Sequence, residues 1–250
     1  MSQQIIFVDA TVDNLDALLD GLVADAIVVE LSADRSGIAQ ITATLNQYQD
    51  VEAVHILAHG QAGALQLGAD VLDDAALASQ SEAIASWGDA LTATGDILLY
   101  GCDVGAGETG AELVQSLATL TQADVAASDD LTGATALGGD WELEVVQGDV
   151  EADVIFSVEA QANFAEVLQT FTVTVATDGG AATLPGTLSW AIEQANLNPG
   201  DDTIVFNTDV QLTGTMQSLI DSNIEFVGGG FQVSGSNLFR PFFIKSGAVS

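Results

Sequence analysis

Basic residues are almost missing from this chain. Arg35, Arg240 and Lys245 are the only three in 250 residues, against 36 aspartates and glutamates, which leaves a formal net charge of −33. So few cations exclude a basic phosphate-binding surface, and with it nucleic acid as a partner; anionic lipid is repelled for the same reason. Cysteine is nearly absent too. Cys102 stands alone, which excludes an internal disulfide framework and any multi-cysteine zinc site. No apolar run approaches the roughly 18 residues of a membrane helix, so no membrane insertion is expected. Met1 to Asp9 lacks the basic start and long apolar stretch of a cleaved secretory signal, so export would need another signal, such as a C-terminal one on a longer parent chain. The ending Gly247-Ala248-Val249-Ser250 carries no stop for a strand pattern, as expected if the parent chain continues. Also missing are an Asp-x-Asp-x-Asp-Gly loop and a glycine-rich nonapeptide, which leaves Asp73-Asp74 and Asp201-Asp202 as no more than partial calcium sites.

What is present suffices for a core: 48% of the residues are apolar and 16% charged, which excludes disorder for most of the chain. From Ile5 to about Ala127, short apolar runs alternate with longer amphipathic ones, the pattern of a doubly wound α/β sheet. Ile5 to Val8, Ala26 to Val29, Ala53 to Ala58, Asp96 to Tyr100 and Asp124 to Ala127 are near-continuous apolar segments, as parallel strands buried on both faces require. Asn14 to Leu22, Ser36 to Tyr48, Glu82 to Leu91 and Thr109 to Leu120 have helical spacing, with Asp13 and Ser36 as expected N-caps. Trp141 to Val146 alternates like a half-buried antiparallel strand, and Asn163 to Leu168 reads as a short closing helix. The expected domains are therefore 1–168 and 169–250.

From Phe171 onward the chain is rich in Thr, Val, Gly and Asn, with strands expected at Thr203 to Phe206, Val210 to Leu212, Asn223 to Val227 and Phe231 to Val233. Strands so closely spaced suggest coils of a parallel β-helix, and a helix over Leu188 to Asn196 would cover its open end. The segment Gly186-Thr187-Leu188-Ser189-Trp190-Ala191-Ile192-Glu193-Gln194-Ala195-Asn196, followed by Asp202-Thr203-Ile204-Val205-Phe206, resembles the opening of β-helix regions in bacterial surface and autotransporter-like proteins. Trp190 replaces their usual basic residue. The resemblance implies the cap and first coils of a right-handed parallel β-helix.

Two apolar strands end in chemistry. Val54 to Ala58 runs into His59-Gly60, and Ile97 to Tyr100 into Gly101-Cys102-Asp103. In an open α/β sheet ligands bind outside the carboxyl ends of the strands, so neighbouring strands would bring His59 and Cys102 together. A thiol can attack a carbonyl while an imidazole handles the leaving group's proton, and the N–H groups of Gly60 and Cys102 would hold the oxyanion. Taken singly, Cys102 also fits a small buried core residue and His59 a residue capping a turn. The joint pattern resembles the caspase-like cysteine peptidases, the clan of caspases, legumain, gingipains and clostripain. It implies a caspase-like doubly wound, mostly parallel sheet with a catalytic Cys102 and His59 and no required cofactor. The chain as a whole also looks like the N-terminal domain of very large bacterial surface proteins bearing cadherin-like or calcium-binding repeats.

Asp103, Asp129 and Asp130 gather at the same expected sheet edge, where they would line a pocket selecting a basic residue, as acidic pockets do in gingipain-like relatives, or form a solvated acidic loop. Gly105-Ala106-Gly107 would bring a helix N-terminus toward the thiol and favour thiolate, or be a turn only. His55 is expected to be a buried structural residue. The resulting expectation is an N-terminal module of a large bacterial surface protein, extracellular or at the cell surface, with a cysteine endopeptidase or self-processing activity on a peptide or its own chain. The rival is a capping and adhesion module without catalysis on the same scaffold, in which calcium is a possible ligand.

Overall fold

The computed structural model describes residues 3–12, 14–23, 26–197 and 201–250. The expected cap Asp13 lies outside the described residues. The chain divides into two compact units, Met1–Gln169 and Thr170–Ser250.

In chain order the first unit contains β1 (Gln3–Asp9), α1 (Leu15–Leu19), β2 (Ala26–Leu31), α2 (Gly37–Leu45), β3 (Val51–Leu57), β4 (Gly60–Gln61), β5 (Ala64–Leu67), β6 (Asp70–Leu72), α3 (Asp74–Ser79), α4 (Ser81–Ala85), β7 (Leu91–Tyr100), α5 (Gly107–Thr121), β8 (Asp124–Ala127), β9 (Val145–Gln147) and α6 (Val158–Asn163). Six strands form the central sheet in the order β2-β1-β3-β7-β8-β9. All its pairings are parallel except β8 with β9. This is an α/β fold with a mainly parallel central sheet. The small sheet β4-β5-β6 is antiparallel and follows β3 directly.

The central strands are apolar on both faces because both are covered. Ile5, Phe7, Val54, Ile56, Ile97 and Leu99 point into one core, which α2 and α5 fill with Ile38, Ile41, Leu113 and Leu117. Their alternating neighbours Ile6, Val8, Ala53, Leu57, Leu98 and Tyr100 enter a second core with Leu18, Trp141, Phe156, Phe164 and Leu168. Tyr100, Trp141, Phe156 and Phe164 meet there in edge-on and tilted pairs at 5.0 to 6.3 Å between ring centres. Ser36 caps α2 as expected, its Oγ accepting from the Ala39 N–H at 3.1 Å.

Several expected elements differ; the helix expected over Glu82 to Leu91 ends at Ala85, and Leu91 already opens β7. The strand expected over Trp141 to Val146 is confined to β9, since Trp141 is drawn into the second core. The helix expected over Asn163 to Leu168 is absent: α6 ends at Asn163, and the next residues are extended. Their backbone pairs elsewhere. Ala134 N–H donates to Glu166 O at 2.8 Å, Leu168 N–H donates to Thr132 O at 3.0 Å, and Gly133 bridges Val167 in antiparallel sense. Tertiary pairing has overridden a helical spacing of apolar residues.

The second unit holds β10 (Thr170–Val173), β11 (Thr177–Asp178), α7 (Leu188–Leu197), β12 (Asp201–Phe206), β13 (Val210–Leu212), β14 (Asn223–Val227) and β15 (Val233–Ser234). Its strands form two parallel three-stranded sheets, β10-β12-β14 and β11-β13-β15. Leu188, Ala191, Ile192 and Ala195 of α7 pack with Phe171, Ile204, Phe206 and Ile224. Asp178 is buried and fixes the start of α7, accepting from the N–H and Oγ of Ser189 at 2.6 and 2.8 Å.

His55 is buried in the middle of β3, with Nδ1 3.1 Å from the Tyr100 hydroxyl and the two rings stacked. Burial lowers its pKa from 6.5 to about 3. The unfolded chain therefore binds this proton more readily between those values, so stability present at neutral pH is lost as pH falls from about 6.5 toward 3, at about 1.4 kcal/mol per unit. Urea titrations across this range should show a slope steeper by about that amount in the wild type than in His55→Gln; equal slopes would contradict the assignment.

Candidate functional site

Register places the two reactive side chains. β3 and β7 pair with Leu57 beside Tyr100, and the Ala58 N–H donates to Tyr100 O at 3.0 Å. His59 and Cys102 lie two residues beyond that pair, just past the ends of the two strands, and Cys102 packs in the second core with Leu57 and Tyr100. β1 flanks β3 on the other side and brings Asp9 and Thr11 to the same edge. Asp9 is buried; its carboxylate accepts from the Thr11 N–H at 3.0 Å, the Thr11 Oγ1 at 2.6 Å and the Gly68 N–H at 2.5 Å. That fixes the Thr11 carbonyl, which lies 3.2 Å from His59 Nε2. A carbonyl can only accept, so Nε2 carries the hydrogen and Nδ1 is the basic nitrogen of the neutral ring.

Cys102 is wholly buried, and its sulfur lies between backbone groups of Thr132, 3.3 Å from the N–H and 3.6 Å from the carbonyl oxygen. Burial pushes the thiol far above its ordinary pKa; the N–H groups of Thr132 and Leu168 oppose this, while the charges of Asp103 and Asp130 add to it. The thiolate that a helix N-terminus would favour is therefore not the resting form. α5 begins at Gly107, and Gly105 belongs to the preceding turn, its N–H donating to Ser128 O at 2.7 Å.

The two amides expected to hold an oxyanion meet on one atom. Gly60 N–H donates to Leu168 O at 2.8 Å, and Cys102 N–H donates to the same oxygen at 3.1 Å. Leu168 is fully buried, with its side chain in the second core beside Tyr100 and Phe164, a burial worth about 1.5 to 3 kcal/mol. Glycine is required at position 60, because a Cβ there would lie 2.8 Å from Cys102 O and 2.5 Å from Val104 Cγ2.

The acidic residues sit beside this centre. Asp103 adopts a left-handed backbone with φ of 60°, its N–H donating to Asp130 O at 2.7 Å and its carboxylate accepting from Gln169 Nε2 at 3.4 Å. Asp129 and Asp130 are exposed and, with Glu144, bring carboxylate oxygens within 4.8 Å of one another. Burial, followed by the neighbouring carboxylates, raises the pKa of Asp130; for Asp103 burial leads and Gln169 opposes it. Of the residues the sequence pointed to, His59, Gly60, Cys102 and Asp103 come together at one sheet edge, with Asp130 touching Asp103 through its backbone. Sequence reasoning missed Asp9, Thr11, Thr132 and Leu168. The last three act through backbone atoms, which no side-chain pattern reveals, while Asp9 could have been found as the polar residue ending a wholly apolar strand.

A second carboxylate group, Asp96, Asp124 and Glu151, lies at the amino ends of the buried parts of β7 and β8, with ligand oxygens within 4.8 Å. Asp96 is 1% exposed; one of its oxygens accepts from the Glu151 and Ala152 N–H groups at 3.1 and 2.9 Å, and the other, Oδ1, has no hydrogen-bond partner among the described residues. Asp96 and Glu151 line a cavity of about 350 Å³.

Residues 5–168 match a family described as Domain of unknown function (DUF4347). The chain belongs to the DUF4347 family. No curated protein and no solved structure matches it. The DUF4347 match spans β1 through Leu168, so it takes in both the strands that carry the site and the segment whose carbonyl occupies it.

Two outcomes follow for this DUF4347 domain. Gly60→Ala should cost about 1 to 3 kcal/mol through overpacking and displace Leu168, so that Cys102 labels faster with iodoacetamide in the native state; unchanged melting and labelling would contradict the geometry. Burial raises the Asp96 pKa, so the folded state holds this proton more tightly than the unfolded chain, and stability is lost as pH rises through the folded value. The stability of Asp96→Asn should match the wild type below the carboxylate range, about pH 4, and exceed it increasingly above; a constant difference would exclude this role.

Proposed function

We propose that the first unit is a caspase-like cysteine endopeptidase that acts on peptide bonds, its own chain included, with Cys102 as nucleophile and His59 as general acid and base. One observation carries this reading: the N–H groups of Gly60 and Cys102 donate to a single peptide carbonyl oxygen. Donors arranged in this way stabilise the negative charge that develops on a carbonyl under attack, at about 10²- to 10³-fold in rate for one donor. His59, held through Nε2 by Thr11, follows the logic of a base oriented by a third group. In this reading the second unit is the cap and first coils of a right-handed parallel β-helix, a reading supported by its two parallel sheets and α7. The whole is then the N-terminal module of a large bacterial surface protein, exposed outside the cell, where an acidic surface favours solubility.

A second reading, a capping and adhesion scaffold without catalysis, draws on the complete burial of Cys102 and its contacts with Thr132. Fold alone does not decide between them. Under that reading calcium would bind at Asp96, Asp124 and Glu151. Peptide-bond hydrolysis, followed by intact mass on the chain and on an unfolded protein substrate, separates the two readings. Cys102→Ala should abolish cleavage, and His59→Ala should slow it about 10²- to 10⁴-fold. Cleavage that persists in Cys102→Ala would overturn the peptidase reading. So would an inert wild type whose thiol labels only after unfolding.

A further inference from the structure

A segment of the chain itself lies across the candidate site. Glu166, Val167 and Leu168 run extended along 132–134, pairing through Ala134 N–H to Glu166 O at 2.8 Å and Leu168 N–H to Thr132 O at 3.0 Å. Its backbone bonds set its register, as in strand addition, and Val167 and Leu168 are both buried in the second core. At its end the Leu168 carbonyl is gripped by Gly60 and Cys102, while the same Thr132 that receives Leu168 also contacts the Cys102 sulfur. The following residue is held as well, with Gln169 bridging Gly60 and its side chain donating to Asp103 at 3.4 Å. Residues on both sides of one peptide bond are thus fixed beside the nucleophile.

Resting on the peptidase reading, we infer that Leu168–Gln169 is the bond this site cuts, with leucine, not a basic residue, preceding the break. The Cys102 sulfur bonds to the Leu168 carbonyl carbon as its proton passes to His59, and the oxygen gains charge between the two amides. The C–N bond to Gln169 breaks, and His59 returns the proton to the departing amine. Water then attacks the thioester with His59 as base; the S–C bond breaks, the sulfur regains a proton, and Leu168 is left as a carboxylate. Cleavage there leaves Gln169 as a new N-terminus one residue before the second unit begins, and Leu168 is also the last residue of the family match. The geometry accounts for a buried thiol in a catalytic position, since Thr132 and the uncut segment paired with it enclose the sulfur.

The whole chain, freshly purified, would be followed by intact mass and N-terminal sequencing over days, with and without calcium. Cys102→Ala would be run alongside. So would Gln169→Pro, which alters the leaving nitrogen and leaves the buried leucine untouched. In parallel, Cys102 would be challenged with a Glu-Val-Leu acyloxymethyl ketone, which alkylates a cysteine only where thiol, imidazole and oxyanion site cooperate. The expected result is one fragment ending at Leu168 and one starting at Gln169 from the wild type, none from Cys102→Ala, and at least about a hundredfold slower release from Gln169→Pro. Cysteine-dependent cutting at a different bond overturns this inference and leaves the peptidase reading standing. So does alkylation of Cys102 in a chain that never cuts itself. An uncut chain with an unalkylated Cys102 overturns this inference, and the peptidase reading as well when the same chain leaves an unfolded protein substrate intact.

Discussion

β3 lies between β1 and β7 in parallel register and is buried on both faces, so its side chains alternate between two separate cores. A slip of one residue would exchange those cores, carrying His55 and Leu57 to the wrong side, and the register is therefore tightly specified. Everything at the candidate site is inherited from it. Because Leu57 sits beside Tyr100, the chain leaves both strands at equivalent heights just before His59 and Cys102, and because β1 is the other neighbour, Asp9 and Thr11 arrive next to His59.

The second constraint is the covering of that edge. An open cleft would leave the Gly60 and Cys102 amides exposed or bridged by water; here they are satisfied by Leu168. Satisfying two amides with one carbonyl removes the cost of leaving donors unmade, and the leucine side chain adds to the second core. The same arrangement that stabilises the fold occupies the site, and this explains why the thiol is protonated and inaccessible at rest. In the proposed reading, cutting the bond would turn this strand into a product with a free carboxylate end.

Strand positions were readable because parallel strands covered on both faces must be apolar throughout, as in Val54 to Ala58 and Ile97 to Tyr100. The nearness of His59-Gly60 to Gly101-Cys102 followed from placing these strands side by side. What the sequence hid falls into two kinds. The sheet β4-β5-β6 has strands of two to four residues, too short for a period to emerge. The segment after Asn163 has apolar residues at helical spacing, Phe164, Val167 and Leu168, and only its pairing with Thr132 and Ala134 makes it extended. Thr11, Thr132 and Leu168 contribute peptide groups, and a peptide group looks the same at every position in a sequence.

Residue-resolved amide hydrogen exchange on the uncut chain tests the central claim most directly, because it reports on the two hydrogen bonds that define the site. The account predicts that the Gly60 and Cys102 amides exchange slowly, and together with the Leu168 amide that Thr132 receives. Rapid exchange at Gly60 and Cys102, with β3 and β7 still protected, would contradict it, for the cleft would then be open and Leu168 would not be its occupant.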